Sequence, residues 1–130
     1  MDRTDVGKCF ACGQKNPIGL KLEFYEDGDG LSARFTPRAE YQGYTGITHG
    51  GIVSTLLDEA MAKLVYEKGY MALTAELKVR FRKPAVVGEE HIVTGWIDRV
   101  AHRMIDCHAE LRNSKGEVVA EAVGKMVMVE

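Results

Sequence analysis

The chain has 130 residues, of which 45% are hydrophobic and 28% are charged, and its formal net charge is -2. This length suits one domain with its own core, and this composition excludes a disordered chain. The slightly negative charge gives no electrostatic basis for nucleic-acid binding. No apolar run approaches the ~20 residues of a membrane span. We therefore expect neither a nucleic-acid partner nor a membrane partner.

The N-terminus and the cysteines indicate a cellular compartment. The segment from Met1 to Lys8 is polar and lacks the apolar core of a secretory signal. Three cysteines, an odd number, do not make a disulfide framework. We expect a cytoplasmic protein with reduced thiols, organised as a single domain over residues 1–130.

The first predicted elements are two strands, Leu20–Glu26 and Leu31–Thr36, joined by the turn Asp27–Gly30. Glycine and aspartate between apolar runs are a strong hairpin signal. A loop rich in glycine, tyrosine and threonine follows, from about Pro37 to Thr48.

Gly50–Glu67 is predicted to be a helix, with Thr48 or His49 as its N-cap and Lys68 and Gly69 at its C-terminal end. A broad apolar stripe recurs with helical period. Its members are Ile52, Val53, Leu56, Leu57, Ala60, Met61, Leu64 and Val65. A stripe this wide indicates a helix that other structure largely surrounds.

In the remaining segments, apolar residues alternate with polar ones or form short runs, as is typical of strands. The predicted strands are Leu73–Phe81, His91–Val100, Met104–Arg112 and Val118–Val129. In the first of them the odd-numbered residues are apolar and are expected to face inward. The turn Asn113–Gly116 joins the last two strands.

This order predicts an α+β fold in which one long helix is wrapped by a curved antiparallel sheet of about five to six strands. The sheet is the only structure available to cover the helix. Its edge strands need protection, and a dimer that extends the sheet is one solution.

His49, Gly50 and Gly51 open the helix, where backbone N–H groups lack intrahelical partners and the helix dipole is positive. Two glycines allow a ligand to approach this backbone closely, so the segment is a candidate anion site or oxyanion hole. The alternative is that the glycines only relieve crowding between helix and sheet.

Asp58 lies seven residues after Gly51 and four after Ser54, near one line on the helix and at the edge of the apolar stripe. An aspartate in such a place is ionised at neutral pH and can act as a base or nucleophile. The alternative is a solvated carboxylate like its neighbour Glu59. Thr74, on the polar side of its strand, carries no signal alone.

Cys9 and Cys12 form a C-x-x-C pair, but one pair does not complete a four-ligand zinc site. The histidines show no metal-ligand spacing with it. We interpret the pair as a structural turn and expect activity that requires no metal or organic cofactor.

The segment from Tyr41 to Met61 resembles the hotdog-fold acyl-CoA thioesterases of the PaaI-like group, whose core pattern is His-Gly-Gly followed by an aspartate. The stretch Thr74–Phe81, followed by Pro84 and Gly88, is also similar to the family. So is an N-terminal stretch common in one subgroup, with Cys9, Cys12, Gly13, Asn16, Pro17, Gly19 and Leu20.

The resemblance implies hydrolysis of an acyl thioester, most naturally acyl-CoA, by a homodimer or dimer of dimers. The thioester carbonyl would lie over the Gly51 N–H beside His49 and Gly50. Asp58 would reach it from the partner subunit as base or nucleophile, and Thr74 would hold the water. Ser54 is a further candidate for substrate contact.

Many relatives carry an asparagine six residues before the His-Gly-Gly histidine, where it polarises the carbonyl. Here that position is Gly43, and the adjacent Gln42 is a candidate substitute.

A basic cluster of Arg80, Arg82 and Lys83 is a candidate site for the coenzyme A phosphates, and a solvated strand end is the alternative.

Two other functions stay open from the sequence: a non-catalytic acyl-CoA binding or sensing module on the same fold, and a hotdog enoyl hydratase or dehydratase.

Overall fold

The computed structural model describes residues 6–129. Residues 1–5, which begin the polar segment predicted to lack a secretory signal, lie outside the described residues. The elements in chain order are β1 (Phe24–Asp27), β2 (Gly30–Phe35), a short 3-10 helix (Ala39–Tyr41), α1 (Gly50–Glu67), β3 (Ala72–Phe81), β4 (His91–Ala101), β5 (Met104–Arg112) and β6 (Val118–Met128).

The six strands form one antiparallel sheet in the order β1-β2-β4-β5-β6-β3. Helix α1 packs against strands β2 to β6 and places the predicted apolar stripe on them. Its buried members are Val53, Leu56, Leu57, Ala60, Met61, Leu64 and Val65. The predicted α+β architecture is confirmed. Within the described residues, no helix is long and apolar enough to cross a membrane.

The first hairpin is shorter than the sequence predicts. Leu20 N–H donates to Phe10 O at 2.8 Å and Leu22 N–H donates to Ala11 O at 3.0 Å. The start of the predicted first strand is therefore bonded to the N-terminal loop, and β1 begins only at Phe24. The turn itself is confirmed, with Asp27 paired to Gly30.

Helix α1 has the predicted bounds, and both of its ends show the expected capping. His49 is the N-cap, and Lys68 is the C-cap. Gly69 follows with a φ of 91°, a left-handed conformation that glycine adopts without a steric cost.

Strand β3 is an edge strand, and this overturns the prediction of a half-buried strand with every odd-numbered residue inward. Leu73 is 52% exposed and Phe81 is 55% exposed. On the other side of β3 the described residues provide no further strand, because β6 is its only partner in the sheet. A ten-residue edge with exposed apolar side chains is a surface onto which another strand can pair.

A β-bulge between Thr74 and Glu76 changes the face on which β3 side chains lie. Leu77 and Val79 pack against the core as predicted. Before the bulge the alternation is displaced, so that Thr74, predicted on the polar side, faces the helix instead.

Candidate active site

Asp58 projects from α1 toward edge strand β3, where it meets Thr74. The Thr74 hydroxyl donates a hydrogen bond to Asp58 Oδ1 at 2.8 Å. The same Oγ1 lies 3.3 Å from Met126 Sδ on β6, and this contact also restrains the Thr74 side chain. Asp58 is half-buried and Thr74 is exposed. The structure therefore brings these two predicted site residues together within one chain, at an edge open to solvent.

The helix start is built around the His49 side chain. Its Nδ1 accepts a hydrogen bond from Gly51 N–H at 2.8 Å. An imidazole that accepts at Nδ1 carries its proton at Nε2 when neutral, so Nε2–H is available as a donor. Gly50 N–H has no acceptor among the described residues. Two donors are thus open at this helix start, while the Gly51 N–H predicted to hold the carbonyl is bonded to His49.

The His49 cap explains the glycine at position 51. A Cβ placed on Gly51 would lie 3.0 Å from His49 Nδ1, so the ring would have to shift by a few tenths of an ångström. At Gly50 a Cβ would lie 3.4 Å from the Phe81 ring. The two glycines therefore have different surroundings, since Gly50 lies against the end of β3 and Gly51 lies against the histidine.

Asp58 and the helix start of the same chain are two separate groups. Asp58 lies seven positions after Gly51 along the α-helix, a rise of about 10 Å. The helix start lies against Phe81 at one end of β3, whereas Asp58 lies against Thr74 near the other end. A carbonyl held at the helix start is thus out of reach of the carboxylate of its own chain.

A groove of about 690 Å³ opens at the helix start. His49, Gly50 and Phe81 line it, together with Arg82 and Lys83. Arg82 Nη2 lies 2.7 Å from Glu121 Oε1 and Lys83 Nζ lies 2.8 Å from Glu117 Oε2, and both cationic side chains stay about half exposed. The pairing raises the pKa of Arg82 and lowers the pKa of Glu121 and Glu117.

Other predicted residues lie away from this groove or are engaged within the chain. Arg80 lines a different depression, on the outer face of the sheet, with Asp98 and His108. The Ser54 hydroxyl donates to Gly50 O at 2.8 Å within the helix. Gln42 Oε1 accepts from Gly46 N–H at 3.0 Å within its own loop. A Cβ at Gly43 would lie 3.6 Å from the His49 ring, so this position does adjoin the helix start.

Glu59 is a residue whose surroundings the sequence did not reveal. It was expected to be a solvated carboxylate, and this was wrong: it is half-buried, and Cys9 Sγ lies 3.6 Å from its Oε2. Cys12 joins the same cluster. Burial raises the pKa of Glu59, and hydrogen bonds from the two thiols oppose this rise only in part. Burial and the neighbouring Glu59 raise the pKa of the Cys12 thiol well above its usual range.

Comparison with known proteins finds acyl-coenzyme A thioesterases among the relatives. Acyl-coenzyme A thioesterase THEM4 of Bos taurus is 20% identical over 132 residues, which cover 99% of this chain and 54% of that protein. The chain spans about half the length of the curated relatives it matches.

Solved structures share the fold. The E. coli PaaI protein from the phenylacetic acid degradation operon superposes with a TM-score of 0.80 at 20% identity, covering 85% of this chain and 81% of that one. A hypothetical thioesterase of Streptococcus pneumoniae, solved with coenzyme A, gives a TM-score of 0.78 at 18% identity, with coverages of 83% and 85%. The predicted resemblance to PaaI-like hotdog proteins is confirmed.

The family model of the thioesterase superfamily matches residues 45–120, more than half of the chain. The match includes the helix start, which lies against Phe81 at one end of β3. It also includes Asp58 and Thr74, which meet near the other end of the strand. The chain belongs to the thioesterase superfamily.

Proposed function

We propose that this protein hydrolyses acyl-CoA or a related acyl thioester to the free acid and a thiol. One observation carries the proposal: the carboxylate of Asp58 is held by the Thr74 hydroxyl at 2.8 Å, beside the open edge of β3. Membership of the thioesterase superfamily supports it.

In this proposal Asp58 is the base or the nucleophile. As a base, it takes a proton from a water molecule whose oxygen forms a bond to the thioester carbon. The carbonyl oxygen becomes negative, and its electron pair returns as the carbon–sulfur bond breaks and the thiolate leaves. The thiolate then receives the proton that Asp58 took from the water, which leaves the free acid and the thiol and returns Asp58 to its starting form. Thr74 bonds to Oδ1 and leaves Oδ2 of Asp58 for the water. A positioned base of this kind contributes roughly 10²–10⁴ in rate.

The negative charge on the carbonyl oxygen needs hydrogen-bond donors. Gly50 N–H and His49 Nε2–H are the open donors at the helix start, and the helix dipole adds to both. The Gly51 N–H that the resemblance implies as a donor is bonded to His49 Nδ1 in this arrangement, so it is not one of the proposed donors. Neither the glycines nor the histidine requires a metal or an organic cofactor for this role.

The complete site is proposed to form between two subunits, in a homodimer or a dimer of dimers. Antiparallel pairing of β3 with β3 of a second copy, centred on the strand, brings the Thr74 end of one chain to the Phe81 end of the other. Because Phe81 lies against Gly50, the helix start of one copy then faces Asp58 of the other. In this arrangement a carbonyl held at the helix start of one copy is within reach of Asp58 of the other copy, which it is not within a single chain.

Subunit mixing tests the shared site. Asp58→Asn and His49→Ala proteins, each nearly inactive, are mixed under conditions of subunit exchange. One site of each mixed dimer then combines wild-type Asp58 with a wild-type helix start, so random exchange restores about a quarter of the wild-type sites. No recovery despite demonstrated exchange, or a fully active monomer in sedimentation, would contradict the proposal.

The groove at the helix start is proposed to bind the coenzyme A portion, with Arg82 and Lys83 facing its phosphates. Their acidic partners Glu121 and Glu117 reduce the net positive charge. Reversing both cations to glutamate should therefore raise KM for acyl-CoA several-fold, and Glu117→Gln, which frees Lys83, should lower it. An unchanged KM in both proteins would remove these residues from the binding site.

A hydrolysis screen tests the reaction itself. Acyl-CoAs that differ in chain length and aromaticity are supplied, and free thiol is measured. Release of thiol by the wild-type protein supports hydrolysis. Binding without turnover would identify a sensing module, and addition of water to an enoyl-CoA would identify a hydratase. The cytoplasmic location stays a prediction.

A further inference from the structure

Three potential metal ligands from two distant parts of the chain converge on one side of α1. The Sγ atoms of Cys9 and Cys12 and a carboxylate oxygen of Glu59 all lie within 4.8 Å of one another. The two cysteines belong to the loop before β1, and Glu59 belongs to the middle of the helix. This cluster is separate from Asp58, whose carboxylate faces Thr74.

The loop that carries the cysteines has a tight backbone turn. Gly13 N–H donates to Cys9 O at 2.8 Å, and Asn16 Nδ2 donates to Lys8 O at 3.0 Å. A Cβ on Gly13 would lie 2.4 Å from Cys9 N and 2.5 Å from Gly7 O, so only glycine fits there. The turn thus holds two thiols, three residues apart, on one side of the loop. This is the spacing at which cysteine pairs bind zinc.

The chemistry of the three groups suits a borderline-soft dication. Zn²⁺ accepts thiolate sulfur at ~2.3 Å and carboxylate oxygen at ~2.1 Å, which places tetrahedral ligand atoms about 3.8 Å apart or slightly closer. The 4.8 Å limit of this cluster leaves a contraction of about 1 Å or less on binding. Cys9 is exposed, which gives an entering ion a path.

We propose that Cys9, Cys12 and Glu59 bind a Zn²⁺ ion, with solvent as the fourth ligand, and that the ion fastens the N-terminal loop to α1. Binding releases the two thiol protons to solvent and leaves two thiolates and a carboxylate on the metal. The ion then replaces the thiol-to-carboxylate hydrogen bond as the link between loop and helix. The role is structural, because none of the three ligands belongs to the Asp58–Thr74 pair or to the helix start.

Cobalt titration of the reduced, metal-free chain without a histidine tag tests the site. Co²⁺ should produce thiolate-to-cobalt charge-transfer absorption with the intensity of two thiolates, and Zn²⁺ should displace it. Cys9→Ser should halve the band and weaken Zn²⁺ affinity by about tenfold or more. Glu59→Gln should retain the two-thiolate band and weaken the affinity similarly. Glu67→Gln, an exposed carboxylate on the same helix, is the matched control and should bind like wild type.

Thermal unfolding gives a second readout. Zn²⁺ should raise the Tm of the wild-type chain in a concentration-dependent manner, and the same rise in Cys9→Ser should require about tenfold more Zn²⁺ or above. Cys9 is exposed, so its replacement by serine leaves the core intact. The absence of a thiolate band in the wild-type chain, or a band of full intensity and an undiminished Tm shift in Cys9→Ser, would overturn the proposal. So would a reduced chain that binds Zn²⁺ no more tightly than Cys9→Ser.

Discussion

Asp58 and Glu59 are consecutive residues with the same charged group, and the fold gives them different surroundings. Asp58 accepts a hydrogen bond from Thr74 at the open edge of the sheet. Glu59 faces the thiols of Cys9 and Cys12 under the N-terminal loop. Consecutive helical side chains point about 100° apart, so one helix turn can serve two sites. The direction in which each carboxylate projects from α1, rather than its residue type, decides its proposed role. Asp58 is proposed to act in the reaction, and Glu59 is proposed to bind the zinc ion.

The largest expected effect comes from removing one carboxylate at a time. Asp58→Asn should retain fold and acyl-CoA binding but lower kcat by about 10² or more, because the base is lost while size and shape remain. Glu59→Gln is the matched variant one residue away, and its kcat should stay near that of wild type. Steady-state thiol release measures both.

Two outcomes would break this comparison. A folded Asp58→Asn protein with near-wild-type turnover would remove the proposed mechanism. A pure rise in KM would instead mean that Asp58 contributes uniform binding to substrate and transition state.

Thr74 should show the next effect in size. Thr74→Ala removes the hydroxyl that bonds to Asp58 Oδ1, so the carboxylate loses its orientation but keeps its charge. We expect kcat to fall by about tenfold, less than in Asp58→Asn. Thr74→Ser keeps the hydroxyl and should recover most of the rate. Equal rates for the alanine and serine variants would show that the hydroxyl has no part in the reaction.

Much of this arrangement follows from the sequence, because the helical period and the capping residues define α1 from Gly50 to Glu67. Helical spacing also places Asp58 at the edge of the apolar stripe. Three of the five strand pairings, β1–β2, β4–β5 and β5–β6, follow from strands joined by short turns. These features depend on neighbours close in sequence, which local patterns record.

The surroundings of Thr74 and Glu59 depend on distant parts of the chain. A bulge in β3 turns Thr74 to the helix side, and strict alternation predicts the opposite face. Glu59 meets cysteines 50 and 47 positions earlier, through the fold of a loop that carries no secondary-structure signal. The closure of Gly51 N–H onto His49 likewise depends on a ring orientation that residue type leaves open.

Replacing the thiols of Cys9 and Cys12 tests the surroundings of Glu59 without changing those of Asp58. The double variant Cys9→Ser with Cys12→Ser should retain kcat within about twofold, because neither thiol faces Asp58 or Thr74. Its Tm should fall below that of the zinc-loaded wild type. Exhaustive chelation of the wild type should do the same, lowering Tm while turnover at moderate temperature persists. Turnover that collapses in the folded double variant would give the cysteines a chemical role.

The smallest expected effect is the pH dependence of stability from Glu59 in the metal-free protein. Burial raises the pKa of this carboxyl in the folded state, so the folded chain holds a proton that the unfolded chain loses near pH ~4.3. Stability from this group is therefore present below that pH and is lost as pH rises through the raised pKa.

Urea unfolding with a chelator should show Glu59→Gln gaining stability relative to wild type as pH rises from 4 toward neutrality, with Glu67→Gln as the exposed control. Added Zn²⁺ should reverse the order at neutral pH, because only the wild-type carboxylate completes the metal site. A difference between Glu59→Gln and wild type that is independent of both pH and zinc would mean that Glu59 contributes packing alone.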